Sequence, residues 1–172
     1  SSSSAERWTR LLSSPNYTYG TAGFTTGSDG SIYISGLITG IDGSIPTYDA
    51  FIYKYNPDGT QDWTTILGNS SRTIGRALTT GSDGSIYIGG YTYGDLDGQI
   101  NNGGGTDAFI SKYSPDGTKE WTRLLGSSTY DYGEALTTGS DGSIYIGGST
   151  KGDLDGQTNS GDGYTDAFIS KY

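Results

Sequence analysis

The sequence has no cysteine, no histidine and no methionine among its 172 residues. Without cysteine there is neither a disulfide scaffold nor thiol chemistry. The lack of both cysteine and histidine also excludes metal centres built on sulfur or imidazole. A catalytic base would have to be a carboxylate, a lysine or a tyrosine, and nothing in the pattern below raises a carboxylate pKa, so no enzyme is expected. Positive charge is scarce too: Lys and Arg total 10 against 19 Asp and Glu, a formal net charge of −9. A surface of that sign repels phosphate backbones and anionic bilayers, so nucleic acid is not an expected partner. No run approaches the roughly 20 apolar residues that cross a bilayer, and membrane insertion is not expected. No signal peptide is visible before the opening Ser1-Ser2-Ser3-Ser4. The chain, which lacks an initiator methionine, reads as a mature form, a fragment or a trimmed version of a longer protein.

Glycine and tyrosine dominate what is present, with 30 and 15 copies. Glycine lacks the strict triplet period of collagen, and regularly spaced Ile, Tyr, Phe, Trp and Leu argue against disorder. Short strands joined by tight turns satisfy both residue types, because Gly supplies positive φ at turns while Tyr, Ile and Thr suit a pleated surface.

Internal repetition is the strongest signal. Thr-Gly-Ser-Asp-Gly-Ser-Ile-Tyr-Ile recurs at Thr26, Thr80 and Thr138, and Asp-Ala-Phe-Ile-x-Lys-Tyr at Asp49, Asp107 and Asp166. Trp-Thr recurs at Trp8, Trp63 and Trp121, and Pro-Asp-Gly-Thr at Pro57 and Pro115. The period is about 58 residues. Each unit predicts four strands: A around Ala77–Thr80, B at Ser85–Gly90, C at Asp107–Tyr113 and D at Trp121–Leu125. Ser-Asp-Gly between A and B, and Pro-Asp-Gly-Thr between C and D, are turn chemistry, which makes each unit an antiparallel meander. Apolar groups stand on both faces of B and C, as radial packing of β-propeller blades requires.

The predicted fold class is therefore all-β, a β-propeller built of four-stranded antiparallel blades. Residues 1–5 are a Ser-rich tail, and 6–172 form the repeat domain, with units near 6–48, 49–106 and 107–165 and a closing strand at 166–172. The first strand is a D strand (Trp8–Leu12) and the last a C strand (Asp166–Tyr172), twelve strands in all, so one blade is split between the termini. Three blades are fewer than the usual four to eight. The readings left open are exchange of terminal strands between two chains to give a six-bladed ring, a filament, or a fragment of a longer propeller.

The run Asp107–Gly126, followed by Tyr132-Gly-Glu-Ala and Ser140-Asp-Gly-Ser-Ile-Tyr-Ile-Gly-Gly, resembles the bacterial SBBP β-propeller repeat over nearly the whole chain after the Ser tract. The family's Gly-Asp-x-Asp-Gly-Gln segment is matched at Gly94–Gln99 and Gly152–Gln157. The first copy departs from it, with Ile41-Asp42-Gly43-Ser44 in that place. The resemblance implies secreted or cell-surface bacterial proteins, often large, and brings no catalytic residue to transfer.

Three groups of side chains are candidate sites. Asp95 and Asp97, repeated as Asp153 and Asp155, have a spacing that can offer oxygens to Ca²⁺, with Asn101, Asn102, Asn159 and Asp162 near in sequence. The competing account is a loop whose Asp and Gly satisfy turn amides, since the full EF-hand register is missing. Tyr91, Tyr93, Tyr130 and Tyr132, with Tyr17, Tyr19, Asn16, Asn69 and Asn101, can form a polar-aromatic surface for a glycan, giving a lectin-like alternative. Ala22, Arg76 and Glu134 are equivalent on strand A, the strand lining the channel. Asp29, Asp83 and Asp141 read as turn residues, Asp49, Asp107 and Asp166 as caps on the preceding glycine-rich turn, and the three Trp as packing between blades. The combined expectation is a non-enzymatic extracellular module for surface or matrix assembly. Its candidate partners are itself, a glycan or a surface protein.

Overall fold

A computed structural model describes residues 7–12, 18–42, 45–68, 71–161 and 163–172. The Ser-rich tail, Asn16, Tyr17, Gly43, Ser44, Asn69 and Asp162 lie outside the described residues, as do the side chains of Tyr19 and Ala22.

Eleven antiparallel strands make three meander sheets. The first holds β1 (Thr18–Thr26), β2 (Ile32–Asp42), β3 (Ile45–Tyr55) and β4 (Gln61–Leu67). The second holds β5 (Thr73–Thr80), β6 (Ile86–Thr92), β7 (Asp107–Tyr113) and β8 (Lys119–Leu125). The third holds β9 (Asp131–Thr138), β10 (Ile144–Thr150) and β11 (Asp166–Lys171).

The turn chemistry works as the composition requires. Asp29, Asp83 and Asp141 each accept from the amide two residues on, at 2.9, 3.0 and 3.1 Å. The glycines that follow them, Gly30, Gly84 and Gly142, sit at φ near +80° (81°, 82° and 82°), where a Cβ is strained. The first sheet's middle hairpin runs four residues further than its counterparts because it lacks the Gly-Asp-x-Asp-Gly-Gln loop. In the second and third sheets that loop folds back on itself and buries its central leucine, Leu96 or Leu154.

The core lies between sheets. Ile52 and Leu67 of the first meet Leu78, Ile86, Ile88 and Phe109 of the second. Tyr87 and Ile110 of the second meet Ile144 and Ile146 of the third, with Phe168 against them. Burial on both faces of β6 and β7 gives the double-sided apolar pattern its physical cause.

One expectation is corrected. Trp8–Leu12, predicted as a twelfth strand, is not a strand, and the third sheet has three strands rather than four. A strand exists only by pairing, and this segment lies on the face of the first sheet, with Leu12 packed against the cluster of Ile38, Phe51, Tyr53 and Tyr55. Among the described residues no sheet closes on itself. No helix among the described residues is long and apolar enough to cross a membrane.

Candidate functional site

Two features are built outward from these sheets: an unfilled strand seat beside β11, and an aromatic belt that crosses all three sheets.

The seat is understood from its filled counterpart. In the second sheet β7 pairs with β8 through Ala108↔Leu125, Phe109↔Leu124, Ile110↔Arg123, Ser111↔Thr122 and Lys112↔Trp121. Ser111 and Thr122 hydroxyls lie 2.8 Å apart. Thr122 and Lys119 both donate to the carboxylate of Asp97, which sits at φ 51° in the B–C loop. β11 repeats β7 residue for residue, yet among the described residues its outer edge has no partner strand. A cleft of about 510 Å³ runs there, lined by Leu154, Asp155, Ala167, Phe168, Ile169 and Ser170. Asp155 holds the backbone conformation of Asp97, at φ 50°. Ile169 is 74 % exposed, whereas the equivalent Ile110 is 1 % exposed.

Residues 8–12 read Trp-Thr-Arg-Leu-Leu, as do residues 121–125 of β8. Trp8 donates its indole N–H to the carbonyl of Pro57 at 3.0 Å, and Trp63 donates to Pro115 at 3.2 Å. A methyl group on Gly59 would lie 2.6 Å from the Trp8 ring, and on Gly117 it would lie 2.9 Å from the Trp63 ring. Segment 8–12 thus stands against the first sheet as β4 stands against the second.

The belt is a chain of ring and cation contacts. Tyr91 and Tyr132 meet edge to face at 4.8 Å, linking the second and third sheets. Tyr93 lies 6.1 Å from Tyr91, and Tyr130 stacks on Tyr132 at 6.4 Å. Arg72 lies over Tyr93 at 5.8 Å and over Tyr48 of β3 at 5.1 Å, which brings in the first sheet. Arg76 lies over Tyr91 at 5.9 Å and Lys151 over Tyr130 at 5.6 Å. The four tyrosines singled out from sequence are therefore neighbours. Burial raises the Tyr91 phenol above its ordinary pKa, offset in part by Arg76 and Arg72, so it is a hydroxyl donor at neutral pH.

Arg76 and Glu134 are each the extra residue of a bulge. Gly75 pairs with Gly90 and Ala77 with Gly89, while Gly133 pairs with Gly148 and Ala135 with Gly147. Bulges re-aim side chains, which leaves both residues exposed. No ion pair joins them among the described residues; Arg76 turns to Tyr91 instead.

Three of the four carboxylates singled out for a metal accept from separate protein donors. Asp95 accepts from the Asn101 amide and Asp153 from the Asn159 amide, both at 2.8 Å. Asp97 is bonded to β8, and Asp155 faces the empty seat. Among the described residues no three acidic side chains gather into a group able to hold a metal ion. Asp107 and Asp166 cap their loops, accepting from Asn102 at 3.0 Å and Ser160 at 2.9 Å. Asp107 is fully buried with one unpartnered oxygen, and burial, aided by the charge of Asp131, pushes its carboxyl above the ordinary range.

Sequence reasoning missed Tyr48, Arg72 and Lys151, and also Asp131. Asp131 accepts from the Ser127 amide at 2.6 Å, the Ser127 hydroxyl at 2.8 Å and the Thr150 hydroxyl. Each falls at a position where the copies differ, so repetition gave no signal.

Meander sheets packed face to face, the first two handing their last strand's Trp to the next, define a repeat protein of the β-propeller type. Within that class the SBBP family, described as a beta-propeller repeat, is matched at residues 62–97 and 120–155. Residues 27–64 match a beta-propeller domain of unknown function, DUF5122. The chain is similar to "Regulatory protein FlaEY" of Caulobacter vibrioides, 31 % identical over 164 residues, covering 86 % of this chain and 17 % of that protein. It is also similar to "Uncharacterized WD repeat-containing protein L264" of Acanthamoeba polyphaga mimivirus, 31 % identical over 103 residues, 51 % of this chain and 7 % of that protein. The chain thus spans a small part of either relative's length.

Proposed function

We propose that the chain is a non-catalytic assembly module that pairs with a second copy of itself by seating Trp8–Leu12 in the open edge of β11. The observation that carries this reading is duplication: the edge repeats β7, and the segment repeats the part of β8 that β7 holds. The register transfers directly, giving Ala167↔Leu12, Phe168↔Leu11, Ile169↔Arg10, Ser170↔Thr9 and Lys171↔Trp8. Thr9 then reaches Asp155 as Thr122 reaches Asp97. The face of the first sheet covers Ile169, and Leu11, now 88 % exposed, gains cover from Phe168. The exchange is reciprocal, so a two-fold dimer satisfies both edges and makes a six-bladed ring within the usual size range. The resemblance implied by the repeat supports a place outside the cell or at its surface.

The mass of the chain in solution tests this. A dimer that dissociates when Leu11→Asp and Ile169→Asp are introduced, singly, supports strand exchange. A monomer at all concentrations, or an open-ended series of larger species, overturns it.

A further inference from the structure

We propose that the aromatic belt is a binding site for an acidic polysaccharide, with the carboxylates of hexuronate-type sugars held by Arg72, Arg76 and Lys151. The belt is exceptional in its charge. The chain carries −9 overall, yet three cations converge on one row of rings, and none of them takes part in an ion pair among the described residues. Each lies over a tyrosine ring at 5.6 to 5.9 Å, which positions the cation while leaving its N–H groups free to meet an incoming carboxylate. The bulge that singles out Arg76 from an otherwise regular strand aims it into this row.

The occupied ring faces and the net charge of −9 favour a sugar over a nucleic acid. Tyr91, Tyr93 and Tyr130 each already have a cation over one face, and Tyr132 is met by the edge of Tyr91 and the face of Tyr130. One face of each ring is thus already taken, which leaves less open ring face than the bare aromatic platforms on which bases stack. Tyr93 and Tyr130 stay 46 % and 42 % exposed beside three exposed cations, a set of hydroxyls and N–H donors that suits a ligand rich in hydroxyls and bearing spaced negative charge. All of it lies within one chain, so the inference stands independently of strand exchange.

The test uses a tetramer of galacturonic acid, the same tetramer fully methyl-esterified, and a thymidine tetranucleotide, each titrated calorimetrically into the intact chain. The free acid is expected to bind, with affinity falling at least about a hundredfold on full esterification, which removes every carboxylate, and about tenfold in Arg72→Gln, Arg76→Gln or Lys151→Gln, the loss of one charged hydrogen bond. The three positions are exposed, so melting temperatures should stay unchanged and report intact folding. Equal binding of the ester, tighter binding of the tetranucleotide, no binding of the acid, or indifference to all three substitutions overturns the proposal.

Discussion

β7 and β11 carry the same residues, Asp-Ala-Phe-Ile-Ser-Lys, and live in opposite surroundings. In β7 all but the lysine are buried, and in β11 none is. The difference is made entirely by neighbours: β7 has β8 at its edge and the third sheet on its face, while β11 has neither. Burial is thus a property of the pairing. A strand whose twin is core becomes, at an unfilled edge, an adhesive surface. The largest expected effect breaks this comparison most directly. Ile110→Ala should cost about 3 kcal/mol in denaturant unfolding, because it leaves a cavity between sheets. Ile169→Ala, measured at concentrations low enough to keep the chain monomeric, should change stability by less than about 0.5 kcal/mol. At high concentration the second substitution should instead weaken association.

The same contrast runs through the loop aspartates. Asp97 ties its loop to β8 through Lys119 and Thr122, whereas Asp155 has no strand to hold. Asp97→Asn, which keeps a side chain tolerant of positive φ, should cost about 1 kcal/mol, and Asp155→Asn close to nothing in the monomer. If the dimer forms as proposed, Asp155→Asn acquires a cost that appears only with concentration. Since Asp95, Asp97 and Asp153 are engaged by separate protein donors and no three acidic side chains gather among the described residues, a chelator should leave the melting temperature where it was. A fall on chelation would restore calcium to the account.

Much of this was legible in the residues. The A–B and C–D turns, the double-sided strands and the packing role of Trp63 followed from repeated motifs whose chemistry is local. What escaped was whatever depends on a partner or on a departure from the repeat. Trp8–Leu12 matches a strand letter for letter and is not one, because periodicity predicts capacity to pair and not the presence of an edge. Leu96, the variable position of the Gly-Asp-x-Asp-Gly-Gln segment, is a buried plug. Its recurrence as Leu154 was the available clue. Arg72 and Lys151 sit at positions that vary between copies, and only the folded meander brings them beside the tyrosines.

Asp107 separates the two strands by pH. Buried in β7, its carboxyl is pushed above the usual range, first by burial and then by the charge of Asp131, against the opposing pull of the Asn102 amide. A raised folded pKa means that the native state binds the proton more tightly than the unfolded chain. The resulting stability is complete below the unfolded value near 4 and fades as pH rises through the folded one. Asp107→Asn should therefore flatten the stability profile on the alkaline side of about pH 4, a smaller change than the substitutions above. Asp49, raised by burial alone, should add to it in the double variant. A profile unaltered by Asp107→Asn would show that this carboxyl ionises alike in both states.

The smallest expected effect lies where the duplicated strand departs from its twin. Lys112 of β7 pairs with Asp83 at 3.3 Å and with Glu120, the residue before Trp121, at 2.9 Å. Lys171 of β11 keeps the first partner's equivalent, Asp141, at 3.2 Å. The residue before Trp8, however, is Arg7. On strand exchange Arg7 faces Lys171, a like pair in place of an ion pair, so the dimer is held by its apolar and hydroxyl contacts against a small repulsion. Arg7→Glu should restore the Lys112–Glu120 arrangement across the interface and tighten association two- to fivefold, about 0.5 to 1 kcal/mol, at low salt. The gain should shrink as salt screens it. Lys171→Glu, which would place a carboxylate opposite Arg7 but lose Asp141, should gain less. If Arg7→Glu loosens the dimer, the register derived from β7 and β8 is not the one the two chains use.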